Sequence, residues 1–377
     1  MISLILAVLV LGLIIVFHEL GHFLLARLFS VSVVSFSLGM GPRLWSHVSG
    51  NTEYCIRAIP FGGSCLMAGE ELQDEDADSN IQKEPDGRLI IDGRYYDRSG
   101  QFLSKKPWQR FLIIAGGPLF NFIMAFFLSL ILTASLGADK PYVAAVEPDM
   151  PAYDTGLEKG DLITAIAIGD ERASIKLSRD LQLFLYLNED DFSEGLPVRL
   201  EYIDTEGHRE SAEFYPAYSD ETESWRMGLS YSIAYMPLSG PLEVVSYSIY
   251  NVRYCLISAL QSIKLVLTGG AQREDVMGPV RMVSTIDQTV DEASDYGIWM
   301  TLLTVFNIMI IISASLGVMN LLPIPALDGG RLIFILIEMV TGKGVPKEIE
   351  ARIHVAGMAV LLMLMVLIMF NDISIIV

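Results

Sequence analysis

The chain has 377 residues, 52% of them hydrophobic, with a formal net charge of −19 and a mean hydropathy of +0.44. That balance excludes an ordinary soluble domain and implies several membrane spans joined to a water-exposed part. The acidity argues against a nucleic-acid-binding surface, and the cysteines, Cys55, Cys65 and Cys255, supply neither a disulfide framework nor a zinc–cysteine site.

In chain order, residues 1–30 read as a first transmembrane helix. Nothing from Met1 to Phe17 is charged, and the run leads into His18-Glu-Leu-Gly-His22. A signal peptide is the competing reading, but no basic n-region or small-residue cleavage site is present, so the segment is expected to be a mature helix. On a helix, positions i and i+4 share a face, so His18 and His22 can grip one metal ion. Glu19 beside them is placed to take a proton from water at that metal. Burying such groups in hydrocarbon is costly, which makes them functional candidates.

Residues 31–110 are expected to form a cytoplasmic loop, and within it Arg88-Leu-Ile-Ile-Asp-Gly-Arg-Tyr-Tyr96 reads as a small hairpin. The polar stretch 74–100 has no assigned role. Residues 111–138 are uncharged and form the second span; 296–330 form the third, and 353–377 the fourth span and tail. Between the second and third spans lie a soluble domain over 139–235 and an amphipathic connecting region over 236–295. The latter is read as helices at the membrane surface, with core packing as the alternative. A cytoplasmic-side segment, 331–352, joins the last two spans.

Charge sets the expected orientation. Loop 31–110 holds nine Lys or Arg and 328–352 holds four, whereas the extreme ends hold none. Both basic loops should be cytoplasmic, and both termini and the long segment 139–297 outside.

A catalytic zinc usually takes three protein ligands. His18 lies toward the cytoplasmic face, so the third ligand should come from the cytoplasmic end of another span. Asp328 fits, because Pro323 and Pro325 break the third helix and Gly329 and Gly330 let the backbone turn. The alternative is that Asp328 only marks the membrane boundary. His354 reads as a core or interfacial histidine, and His47 and His208 as surface residues.

Beyond these residues the chain resembles the site-2 protease family of intramembrane zinc metalloproteases, in its bacterial regulated-intramembrane-proteolysis branch. The resemblance is carried by His18-Glu-Leu-Gly-His22, Phe36-Ser-Leu-Gly-Met-Gly-Pro42, Ile59-Pro-Phe-Gly-Gly63 and Met67-Ala-Gly-Glu70. It continues through Lys106-Pro-Trp-Gln-Arg110, Ala115-Gly-Gly-Pro118 with Asn121, and Asn320 to Gly330. It implies Zn2+ held by His18, His22 and Asp328, with Glu19 as general base and proton donor. It also implies that Asn320 holds substrate backbone, and that a membrane-dipping β-hairpin over 59–67, with Gly62 and Gly63, binds an extended substrate by strand addition. Arg331 departs from the histidine that relatives often carry. Pro148-Asp-Met-Pro-Ala152 and Gly156-Leu-Glu-Lys-Gly-Asp161 resemble a bacterial protease-type PDZ domain.

The expected fold class is therefore an α-helical polytopic membrane protein with four transmembrane helices, a membrane-dipping β-hairpin and an inserted β-rich PDZ domain. The implied setting is the bacterial inner membrane, with the active site near the cytoplasmic face. The implied partners are transmembrane protein substrates trimmed first by a site-1-type protease, such as anti-sigma factors or signal-peptide remnants. Peptide tails at the PDZ domain, the lipid bilayer and a stress-response role complete the expectation. The rival functions are a non-catalytic PDZ-containing membrane adaptor, and a transporter or channel with a structural metal site.

Overall fold

The structure is a computed structural model and describes residues 2–70, 81–193, 195–219, 224–270, 272 and 276–376. The part of the polar stretch at 74–80 lies outside the described residues. The chain divides into two compact units, Met1–Leu128 with Ala259–Val377, and Ser129–Ser258.

The first unit begins with α1 (Ile2–Leu28), an apolar helix that ends where Ser30 adopts φ 54° and Val31 N–H reaches back to Ala26 O at 2.7 Å. Then come β1 (Val33–Ser49) and β2 (Thr52–Met67), paired as a hairpin. Their register has three runs. Residues 43–49 pair with 52–57 across the turn. The first part of β1 is flanked on both sides, by 53–56 (Ser35↔Glu53 to Leu38↔Ile56) and by 63–66 (Leu38↔Gly63 to Ser35↔Leu66). The hairpin therefore turns at Gly50-Asn51, not within 59–67, and 62–67 is an outer run of the folded ribbon. Gly39 and Gly41, at φ 85° and 84°, let β1 bend back on itself.

Strands β3 (Ile81–Lys83), β4 (Leu89–Ile91) and β5 (Arg94–Tyr96) form a small antiparallel sheet. Its β4–β5 turn is Asp92-Gly93, both left-handed, as a tight hairpin requires. Helix α2 (Pro107–Leu136) starts on a proline, where the missing N–H is harmless, and carries Pro118 inside.

The second unit holds a four-stranded sheet ordered β10-β9-β7-β8, from β7 (Leu162–Ile168), β8 (Glu171–Ser174), β9 (Val198–Ile203) and β10 (Arg209–Phe214). Ile163, Ile166, Ile168, Val198 and Leu200 form one buried face. Helix α3 (Ser178–Leu187) closes that core with Leu181 and Phe184, and α4 (Glu189–Ser193) follows it. A separate pair joins β6 (Val143–Val146) to β13 (Leu229–Tyr231), and β11 (Ala217–Ser219) pairs with β12 (Ser224–Arg226).

The connecting region contains one long helix, α5 (Pro241–Thr268), followed by α6 (Pro279–Ser294). Two of its charges are paired: Glu243 with Lys140 at 2.5 Å, and Arg253 with Asp180 at 3.7 Å. Helix α7 (Ile298–Leu321) ends before Pro323, and a short loop leads into α8 (Asp328–Thr341). The segment after the third span is thus helical from Asp328 itself, where the Gly-Gly sequence suggested only a turn. Arg110 of α2 holds Glu338 of α8 at 2.5 Å.

The last helix is α9 (Lys347–Ile376). Its buried Asp372 accepts hydrogen bonds from the N–H groups of Gly278, Val280 and Arg281, so it caps α6 from another helix. Among the described residues, four helices are long and apolar enough to cross a membrane: Leu6–Leu28, Pro107–Leu136, Ile298–Leu321 and Lys347–Ile375.

Candidate metal centre

Helices α1 and α2 meet where neither has bulk. A Cβ on Gly116 would lie 2.8 Å from Gly21 O, and one on Gly21 would collide with Gly116 O. Small residues at a crossing let apolar helices approach closely. That approach carries the His18–His22 face of α1 against the Gly116-Gly117-Pro118 segment. A Cβ on Gly117 would lie 2.7 Å from His18 Nε2 and closer still to His22 Nε2, so the absent side chain leaves room between the imidazoles.

The third group arrives from the end of α7. Pro323 and Pro325 stop the helix, and Ala326 turns the backbone at φ 75°. The first turn of α8 then presses on the loop: a Cβ on Gly330 would lie 2.6 Å from Ile324 O, and one on Gly329 would collide with Leu322 O. Asp328 sits in that first turn, where the positive end of the helix dipole favours a carboxylate.

The three donor atoms converge. His18 Nε2 and His22 Nε2 lie 3.1 and 3.3 Å from Asp328 Oδ2, and 3.3 Å from each other. Both histidines are more than nine-tenths buried. His22 Nδ1 lies 3.0 Å from Ile113 O. A carbonyl only accepts, so Nδ1 carries the hydrogen and Nε2 keeps a bare lone pair. His18 Nδ1 lies 3.2 Å from the Asn121 side-chain amide. Amide oxygen and nitrogen exchange by a half-turn. With Oδ1 facing His18, that otherwise unpaired buried oxygen gains a donor and His18 also presents Nε2 as a lone pair. Asp328 Oδ2 is itself buried without a donor.

Three lone pairs aimed at one point repel unless a cation lies among them. Ligands at roughly 2.0–2.1 Å around a tetrahedral zinc are separated by about 3.3 Å, which is the spacing found between these atoms. The residues therefore fit zinc: His18, His22 and Asp328 would hold it. Their second nitrogens are fixed by Ile113 O and Asn121, as metal-bound histidines usually are.

Glu19 is half-buried beside the ligands on α1, and its carboxylate makes no hydrogen bond among the described residues. Gly63 of β2 lies against it, since a Cβ there would be 3.1 Å from Glu19 Cγ. Gly62, at φ 89°, sets the start of that run. Asn320 stands near the C-terminal end of α7, half-buried, with no side-chain hydrogen bond among the described residues. The structure thus brings His18, His22 and Asp328 together and Gly63 against Glu19, and among the described residues no hydrogen bond joins Asn320 to them.

Among the other histidines, His47 stacks on Trp45, and exposed His208 pairs with Asp204. Arg331 is bound to Glu70 at 2.5 Å. Asn121, quoted in the sequence only as part of a motif, emerges as a partner of His18. A lone amide within an apolar span needs a partner, but the sequence does not say which.

The second unit has its own grooves. One of about 280 Å³ lies between Leu185 and Phe192 of α3–α4 and Gly228, Leu229 and Tyr231 around β13. Among the described residues, strand β13 pairs with β6 on one edge only. A larger groove of about 620 Å³, between β7 and the start of α5, is lined by Leu162, Lys176 and Tyr247 among others, and among the described residues no metal-ligand set lies in it. Convergent chemistry, not cavity size, picks out the metal centre.

The sequence matches the profile of Peptidase family M50 over residues 6–364. A zinc-metalloprotease homologue from Clostridium acetobutylicum is 31% identical over 371 residues, covering 98% of this chain and 97% of its own length. The Regulator of sigma-W protease RasP of Bacillus subtilis is 26% identical, with 97% of both chains covered. The crystal structure of the PDZ domain of an SdrC-like protein from Listeria monocytogenes covers 25% of this chain and 87% of that chain. It is 28% identical with a TM-score of 0.20.

Proposed function

This chain belongs to peptidase family M50 and is a multi-pass zinc metalloendopeptidase, and from that premise we propose that it cleaves single-span membrane proteins in regulated intramembrane proteolysis. The observation that carries the proposal is the convergence of His18, His22 and Asp328 in a unit whose helices are long and apolar enough to lie in lipid. The substrate class is anti-sigma factors or signal-peptide remnants, trimmed beforehand by a site-1-type protease. The Bacillus relative named as a regulator of sigma-W supports the first of these.

Zinc, when bound, polarises the scissile carbonyl and makes water more acidic. The chain's own residues do the rest. Glu19 takes the proton from the attacking water and delivers it to the leaving amine. The 62–67 run of β2, adjoining Glu19 through Gly63, offers backbone groups to an extended substrate. Such pairing keeps peptide groups satisfied while a substrate helix unwinds, which lipid would otherwise penalise. Asn320 steadies the same backbone with its amide. In the second unit, which we read as a PDZ domain, the free edge of β13 takes a peptide tail. The setting is the bacterial inner membrane, with both termini and this domain outside and the metal centre near the cytoplasmic face.

The test is cleavage of a tagged single-span substrate in detergent by wild type and by Glu19→Gln, with and without a zinc chelator. Wild type should cleave and lose that activity on chelation. Glu19→Gln should keep zinc but be slower by about 10²–10⁴-fold, the usual contribution of a general base. Cleavage that survives in Glu19→Gln, or in the presence of chelator, would remove the proposal's chemistry.

A further inference from the structure

The loop at 322–327 supplies no ligand, yet it fixes where Asp328 stands. Its turn at Ala326 is left-handed, a conformation an alanine disfavours because of its Cβ, so something outside the loop must hold it. Helix α9 does so at two points. Ala326 N–H donates to His354 Nδ1 at 2.9 Å. One turn further along, Pro325 rests where Gly357 has no side chain: a Cβ there would lie 2.9 Å from Pro325 O and would collide with Pro325 Cβ. His354 and Gly357 are three residues apart and share one helix face. The imidazole is steadied from α8 by Phe334, edge-on with ring centroids 5.6 Å apart. As an acceptor at Nδ1, the ring carries its hydrogen on Nε2, which faces Glu350 at 4.0 Å.

We propose that His354 is a positioning residue of the metal centre: with Gly357 it holds the Pro325–Ala326 turn, and so sets Asp328 Oδ2 against His18 and His22. It acts through the loop, by the Ala326 N–H that it accepts. The inference rests on the metal-centre reading and extends it to the last helix, whose sequence carries no ligand.

The test uses the full-length protein in detergent, loaded with zinc. The rate of zinc transfer to a fluorescent chelator is followed alongside kcat, KM and thermal unfolding. His354→Leu removes the acceptor at similar bulk. His354→Asn returns an acceptor oxygen to the Nδ1 position. Gly357→Ala crowds Pro325. Zinc should leave about 10–100-fold faster from His354→Leu and Gly357→Ala, the usual effect of losing an outer partner of a metal ligand. Their kcat should fall with KM unchanged, and His354→Asn should recover most of the zinc retention. Wild-type zinc release in His354→Leu would overturn the inference. So would His354→Asn behaving as badly as His354→Leu, since the ring would then serve packing alone. A wild type that binds no zinc would overturn the metal centre itself, whereas normal zinc binding with unaltered variants removes only the role of His354.

Discussion

Two imidazoles and a carboxylate stand within 3.3 Å of one another, a donor set that fits a divalent cation. The histidines were legible because a helix places i and i+4 together, and Asp328 because two prolines and two glycines flank it. The role of Asn121 was not legible, because it depends on how α2 crosses α1, and that crossing depends on Gly21, Gly116 and Gly117. Asn121 is fully buried, and Ser313 Oγ donates to its backbone carbonyl at 2.9 Å, so its amide is held in place. Replacing it by Leu should weaken zinc binding about 10–100-fold, because His18 loses the acceptor that fixes its tautomer. Competition with a zinc chelator measures this; an unchanged affinity would show that His18 is oriented by something else.

At the level of elements, the chain follows its local signals where turn chemistry is strong and departs from them where partners intervene. Asp92-Gly93 makes the expected tight turn. The region over 236–295 was expected to be amphipathic helices, and α5 runs as one helix through Glu243 and Arg253, whose charges meet Lys140 and Asp180. The Gly-Gly after Asp328 looked like a turn, yet it begins α8, because small residues are what the first turn needs against Leu322 and Ile324. The folding of β1 and β2 into three paired runs lay beyond sequence periodicity, since it turns on the bends at Gly39 and Gly41. Strand β13 makes a sharper case for function. Its unpaired edge and the apolar wall of Leu185 and Phe192 fit an extended peptide. Leu229→Pro removes an edge N–H and should weaken capture of a fluorescent C-terminal peptide by about tenfold, a loss of roughly one hydrogen bond. Peptide affinity that stays unchanged would place recognition elsewhere.

Across the whole molecule, four apolar helices and the asymmetry of Lys and Arg argue for one orientation. A protease added to right-side-out vesicles should cut within 139–235 and spare 81–110; the reverse pattern would invert the topology. The four long apolar helices were legible from uncharged runs alone, since span length is set by bilayer thickness. What composition did not carry was the support of the ligand loop by α9, because His354 and Gly357 acquire their meaning only against Pro325 and Ala326. The central claim is a zinc held by His18, His22 and Asp328. X-ray absorption at the zinc edge of the purified wild-type protein tests it most directly. The expected spectrum has imidazole and oxygen scatterers at about 2.0–2.1 Å and no sulfur. A sulfur shell at about 2.3 Å, or a protein without zinc, would contradict it.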